Sequence, residues 1–218
     1  MSYERERLEK TYEKPGVVWT SKEPPRELVE LIESGKIKPC KVLDVGCGEG
    51  FYSIYLAKKG FNVTGVDISG NAIEIARENA KKEAVKIRFI AMDMFDLEKL
   101  GEKFDFVFEW GIMHGVAFNQ RKRYVKIING ILNESGKYLS CSFNIDNAKF
   151  GAPGIKIRKV PESGSAIAGT NLYFSSLNEL RELFLEYFKV AQSGVFERVI
   201  GSGKNPDLFN YLLMEIKK

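Results

Sequence analysis

The sequence predicts an α/β protein built on a doubly wound, mostly parallel sheet. Apolar segments of strand length alternate with segments of helical period, a glycine-rich turn follows the first of those strands, and acidic residues close the next two. At 218 residues with 44% hydrophobic content, the chain is long enough for one such domain with its own core and short for two.

Taken in order, strands are read at 41–47, 62–68, 86–92, 104–110 and 137–143, each a short apolar run bounded by polar or turn residues. Between them, Phe51, Ile54 and Tyr55 lay out one apolar stripe at helical spacing, Ala72, Ile73 and Ala76 a second, and Tyr124, Ile127, Ile128, Ile131 and Leu132 a third. Ahead of the first strand, Pro24 and Pro25 followed by Leu28, Leu31 and Ile32, with Gly35 beyond, predict a helix with a proline start and a glycine stop. Past the fifth strand, Ser176 and Glu179 form a capping box, so a helix opens there on Leu177, Leu180, Phe184 and Tyr187. Two closing strands follow near 189–197 and 209–216, joined by a short link that suits an antiparallel hairpin.

The segment 144–174 breaks this rhythm. It holds Gly151, Pro153, Gly154, Pro161, Gly164 and Gly169 with little sustained periodicity, and it leaves the carboxyl end of the fifth strand, where doubly wound sheets bind ligands. A loop that long in a compact domain reads as an active-site cover. The expected layout is one domain over 1–218, with an N-terminal helical cover at 1–40, a binding core at 41–143, the cover loop at 144–174, and a helix and hairpin at 175–218.

Charge and composition exclude several classes of function. The formal net charge is +4, but Lys and Arg are interleaved with Asp and Glu, so nucleic acid is not an expected partner. The N-terminal stretch MSYERERLEKTYEKPG is charged where a signal peptide needs an apolar run, and no segment approaches the length of a membrane span; the expectation is a cytoplasmic protein without a membrane partner. Cys40, Cys47 and Cys141 are odd in number and lack ligand spacing, and the lone His114 cannot complete a zinc cluster with them, so neither a disulfide framework nor a metal site is expected. Lys156, Arg158 and Lys159 form a denser basic stretch that reads as a solvated loop, or alternatively as a face for an anionic ligand.

The turn after the first strand reads Asp44, Val45, Gly46, Cys47, Gly48, Glu49, Gly50. Its glycines allow sharp turning and close approach of backbone to a ligand. A dinucleotide site spaces them G-x-G-x-x-G, whereas here the third glycine comes one position early and Phe51 takes its place. Asp44 and Glu49 also bring carboxylates to the loop, which is costly beside a pyrophosphate and favourable beside a ligand carrying an ammonium and a sulfonium. No G-x-x-x-x-G-K-[ST] sequence is present, which argues against a nucleotide triphosphatase.

The second strand closes on Val66, Asp67 and Ile68. A carboxylate at that tip accepts hydrogen bonds from both hydroxyls of a ribose, while Ser69 is better placed to cap the next helix. The third closes on Ala91, Met92, Asp93 and Met94, which assigns Asp93 to the exocyclic amine of an adenine and Ile68, Met92 and Met94 to the faces of its ring.

These residues together resemble the class I S-adenosylmethionine-dependent methyltransferases, with VLDVGCGEG as the glycine motif, VDIS as the ribose motif and AMDM as the adenine motif. The resemblance runs in order from Val42 to Phe143. It implies a Rossmann-like sheet of seven strands whose last strand is antiparallel, S-adenosyl-L-methionine as cofactor and S-adenosyl-L-homocysteine as product. The implied cofactor site comprises Asp44, Gly46, Cys47, Gly48, Gly50, Asp67, Ile68, Met92, Asp93 and Met94, joined by Glu109 for the cofactor ammonium and Trp110 as a pocket wall. A narrower likeness is to the thiopurine, thiol and tellurite methyltransferase group, whose Trp-Asp-x-Gly-x-Pro segment is matched at Trp19 and Pro24 but not at the Asp and Gly positions. FDFVFEWGIMHG, the Arg-x-x-Tyr of Arg121 to Tyr124, and Leu172-Tyr173-Phe174-Ser175 extend that likeness.

Methyl transfer from a sulfonium is an in-line displacement with an activated leaving group, so positioning supplies much of the rate and a general base is optional. His114 follows the fourth strand and is the candidate base for an acceptor that must lose a proton; the alternative is that it orders its loop. Tyr12 and Trp19 are candidates for aromatic cover over the sulfonium and acceptor, or for packing of the N-terminal helix. The position after the fourth strand reads Glu109-Trp110-Gly111-Ile112, without the Asn/Asp-Pro-Pro-aromatic tetrad of base-flipping aminomethylases. The expected acceptor is a small molecule such as a thiol or other soft nucleophile, handled by a monomer or homodimer. RNA or protein methylation, and a non-catalytic cofactor-binding module, are the competing readings.

Overall fold

The computed structural model describes residues 3–13, 16–17, 20–162, 168–199 and 206–217. Seven strands form one sheet: β1 (Lys41–Val45), β2 (Asn62–Asp67), β3 (Arg88–Ala91), β4 (Phe104–Trp110), β5 (Leu132–Phe143), β8 (Phe188–Arg198) and β9 (Asp207–Ile216), in the spatial order β3-β2-β1-β4-β5-β9-β8. The pairs from β3 across to β5 are parallel, while β9 runs antiparallel to both β5 and β8. This is the Rossmann-like arrangement with its last strand reversed. Strands β6 (Ile157–Lys159) and β7 (Asn171–Tyr173) make a separate two-stranded ribbon.

Alternation along the strands builds the two faces. Leu43, Val45, Val66, Val107, Tyr138 and Met214 point to one side, where they meet Tyr124, Val125 and Ile128 of α5 (Phe118–Ile131) and Leu180 and Phe184 of α6 (Leu177–Phe184). Val42, Val63, Phe106, Phe108, Leu139 and Leu213 point to the other, against Leu28 and Leu31 of α2 (Arg26–Glu33) and Leu56 of α3 (Phe51–Lys58). Ile73, Ala76 and Ala80 of α4 (Gly70–Lys82) close over Phe89 and Ile54. Full burial of each such ring or branched side chain contributes about 1.5–3 kcal/mol.

The predicted helix boundaries at α2, α4 and α6 have the expected causes. Pro25 precedes α2 and Gly35 follows it at φ +71, Ser69 caps α4 by accepting from the Ala72 N–H, and Ser176 with Glu179 makes the capping box of α6. Other boundaries differ from the expectation. Strand β1 stops at Val45 because Gly46 turns the chain at φ +71, and β5 begins at Leu132, directly out of α5, with an irregular register beside Phe104 and Phe106. Two 3-10 turns, Met94–Leu100 and Met113–Gly115, and the helix α1 (Tyr3–Thr11) were not foreseen as separate elements.

Register places the binding motifs on one edge. Val45 lies beside Val66 and Glu109, Val66 beside Ile90, and Glu109 beside Ser140, so the residues just beyond them line up across the carboxyl ends of five strands. That row runs from Met92 and Ile68 through Cys47 to Gly111 and on to Ser142.

Candidate active site

Asp67 stands at the centre of this edge. Its Oδ2 accepts from the Gly48 N–H at 2.9 Å and its Oδ1 from the Ser69 N–H at 3.0 Å. Burial raises its carboxyl above the usual range, offset in part by those two donors. The carboxylate keeps acceptor capacity beyond these backbone donors, and that acceptor set is compatible with a ribose diol. The loop is compact for steric reasons: a Cβ on Gly50 would sit 2.9 Å from Ala76 Cβ and Phe89 Cζ, and Gly50 holds φ +79. One strand over, Asp93 caps the Met94–Leu100 turn through Oδ1, which accepts from Phe95 N–H at 2.9 Å, and half-buried Ile68, Met92 and Met94 flank it.

Two loop carboxylates have partners within the protein. Asp44 is buried beneath α3, accepts from Ser53 Oγ at 2.6 Å, and is pushed by burial to about 7. Glu49 accepts from Gly16 N–H at 2.7 Å, Val17 N–H at 3.1 Å and Thr20 Oγ at 3.2 Å, and so anchors the N-terminal segment. Glu9 of α1 makes the opposite tie, accepting from Ser69 Oγ and from the Gly70 and Asn71 N–H groups at the start of α4, which lowers its pKa against the opposing effect of burial. Between these ties Tyr12 is 5% exposed, and a Cβ on Gly48 would lie 3.0 Å from its hydroxyl oxygen. The tyrosine thus covers the glycine loop. Trp19 lies outside the described residues. Cys47 contributes its backbone, its N–H donating to Val66 O, and burial pushes its thiol well up.

At the tip of β4 the side chains divide. Glu109 is fully enclosed, accepting from Ser140 Oγ, from Ile112 N–H at 2.8 Å, and at longer range from Met113 N–H and Tyr138 Oη; burial raises it to about 7. It therefore holds the turn after β4. Trp110 points to the opposite face, among Tyr52, Phe196 and Phe209. His114 Nδ1 accepts from the Phe143 N–H at 3.2 Å, and the ring stacks on Phe143 at 4.2 Å. An accepting Nδ1 leaves the neutral ring its proton on Nε2, the form of a donor. Burial, with the Arg121 and Lys149 cations nearby, lowers the imidazole to about 3. These contacts order the loop that carries His114.

Buried guanidinium groups hold the cover segment. Arg121 donates to Val116 O, Met113 O, Tyr173 O and Ser175 Oγ, joining the His114 turn to the strand end at 173–175. Its place in the Arg-x-x-Tyr stretch was the available signal. Arg158 is 2% exposed, donates to the carbonyls of Ile145, Asn147, Lys149 and Ile155, and lies 3.9 Å over the Phe174 ring. Both the solvated-loop and the ligand-face readings of Arg158 are corrected: it is an internal staple, while Lys156 pairs with Glu179 and Lys159 with Glu162. Within 144–174 the described residues are ordered by β6, β7 and the buried Val160, Leu172 and Phe174. Among the described residues no helix is long and apolar enough to cross a membrane, and no cluster of metal ligands occurs.

A family described as a methyltransferase domain matches residues 42–136. The human EEF1A lysine methyltransferase 2 is 31% identical over 65% of this chain and 64% of its own length. A probable thiol methyltransferase 2 of Arabidopsis thaliana is 26% identical over 66% of this chain and 65% of its own. Among solved structures, one concerning conversion of a disulfide bond into a thioacetal group during echinomycin biosynthesis superposes with a TM-score of 0.78 at 23% identity, over 99% of this chain and 93% of that one. The chain spans less than two thirds of the length of these curated relatives. The strand order is that of the Rossmann-like methyltransferase fold, and residues 42–136, which carry the glycine loop, are similar to a methyltransferase domain. Such a domain implies S-adenosylmethionine, and the acceptor oxygens at the Asp67 and Asp93 tips are chemically compatible with an adenosine.

Proposed function

We propose that the chain, acting as one domain in the cytoplasm, transfers a methyl group from S-adenosylmethionine to a small-molecule acceptor that arrives as a soft anion, such as a thiolate. The observation that carries this reading is Asp67, a buried carboxylate at the tip of β2 that accepts from the Gly48 N–H of the glycine loop. Asp67 holds the ribose, Asp93 with Ile68, Met92 and Met94 the adenine, the backbone at Gly46 to Gly50 the amino-acid tail, and Tyr12 excludes water from above. When bound, the cofactor supplies a methyl on an activated sulfonium, and the chain's part is to orient the acceptor for in-line attack.

The acceptor class follows from what the edge lacks. The His114 Nδ1 is engaged, Glu109 is enclosed, and Asp207 is paired with Lys149 at 2.5 Å, so none of these three side chains stands ready to take a proton. An acceptor already ionised needs none. The similarity to a human lysine methyltransferase favours a second reading, methylation of a protein lysine. Arg121 and Lys149 beside His114 weigh against it, because a lysine ammonium is repelled there. A radiolabelled methyl-transfer panel of thiols, halides, phenols, amines, RNA and a protein extract tests the proposal. Transfer to a thiol or another small anion is expected; label confined to protein or RNA, or no transfer to any acceptor, contradicts it.

A further inference from the structure

A row of aromatic rings occupies the same sheet edge beyond the adenosine tips. Phe143, Phe209 and Phe196 are register neighbours on β5, β9 and β8, with ring centroids 4.8 and 5.4 Å apart and planes inclined by 28° and 15°. Trp110 packs across the row, 5.3 Å from Phe209 and 5.6 Å from Phe196. Phe209 is enclosed, whereas Trp110 and Phe196 are half-buried and keep part of their surface open.

The guanidinium of Arg198 lies 5.0 Å from the Trp110 ring centroid. Its Nη2 donates to Ser21 Oγ at 2.8 Å and Glu23 O at 2.6 Å, which fixes the group in place. Its Nε and Nη1 have no acceptor among the described residues. Asp207, its partner in the strand register, is already taken by Lys149, and the other ionisable groups that sense Arg198 are the half-buried Glu27, the Tyr52 phenol and the Cys141 thiol. A fixed cation with unused donors therefore stands over Trp110, at a row of rings that is partly exposed.

We propose that this edge is the acceptor subsite and that Arg198 reads an anionic substituent on a planar aromatic acceptor lying against Trp110 and Phe196. Stacking on the rings selects flat apolar bodies, and a charge-assisted hydrogen bond from the guanidinium selects the anion. The inference rests on the methyltransferase reading of the sheet edge.

Calorimetry on the protein saturated with S-adenosylhomocysteine tests it, using 2-naphthoate, 2-naphthamide and hexanoate as probes. The aromatic anion is expected to bind about tenfold tighter than either the neutral aromatic or the aliphatic anion, the size of one charged hydrogen bond. Arg198→Met should erase the advantage of 2-naphthoate over 2-naphthamide, and Arg198→Lys should keep part of it. The S-adenosylhomocysteine affinity of each variant reports an intact fold. Equal binding of the three probes, or a preference that survives Arg198→Met, overturns the inference while leaving the methyltransferase reading in place; failure of the wild-type protein to bind S-adenosylhomocysteine overturns both.

Discussion

Asp44 and Glu109 are carboxyls raised by burial to about 7, and His114 is an imidazole lowered by burial to about 3. The signs of their effects on stability are opposite. A carboxyl that holds its proton more tightly when folded contributes fully below its ordinary range near pH ~4, and that contribution is lost as pH rises through about 7. The cofactor-free protein is therefore expected to lose stability between roughly pH 4 and pH 7, and Asp44→Asn to flatten that slope, as thermal melts across the window will read. The imidazole works the other way, its contribution present above about 6.5 and lost as pH falls toward 3. Because His114 stays neutral across the working range, His114→Gln should slow thiol and oxygen acceptors alike and leave the shape of the kcat/KM profile unchanged. A selective loss of oxygen acceptors would return the imidazole to the role of base.

Among the elements, the least regular are held by charged side chains over long sequence separations. Arg121 ties the His114 turn to 173–175 through four acceptors, and removing it strands those carbonyls. Arg121→Ala is expected to cost about 3 kcal/mol or more in urea denaturation, and Arg121→Lys to recover little, since one ammonium cannot span the same acceptors. The N-terminal segment depends on Glu49 and Glu9 rather than on a deep core. Glu49→Ala should speed tryptic cleavage ahead of α2 and weaken S-adenosylhomocysteine binding, with only a small change in the main melting transition; unchanged cleavage would show that the segment is held by other contacts. None of these ties was legible in the sequence. Glu49 and Gly16 are partners across 33 positions and Arg121 and Ser175 across 54, so neither leaves a local pattern. The caps at Ser69 and Ser176 were legible because donor and acceptor lie within one turn.

At the scale of the whole molecule, the sheet order and the placing of Asp67, Asp93 and the glycine loop on one edge follow from the alternation of strand and helix, because parallel crossovers bring every strand's carboxyl end to the same side. Directions of side chains were harder to foresee. Glu109 and Trp110 are adjacent in sequence, yet the pleat sends one into the α5 face and the other among Tyr52 and Phe209, and a strand tip named by sequence does not say which neighbour a carboxylate will satisfy. The aromatic row of Phe143, Phe209 and Phe196 likewise needs the pairing of three strands to be visible. The most direct test of the account is a calorimetric titration of S-adenosylhomocysteine into the wild-type protein and Asp67→Ala. Saturable one-site binding by the wild type, weakened roughly 100-fold in the variant, is the expected result for a ribose diol deprived of a buried charged acceptor; equal affinity in the two proteins would contradict it.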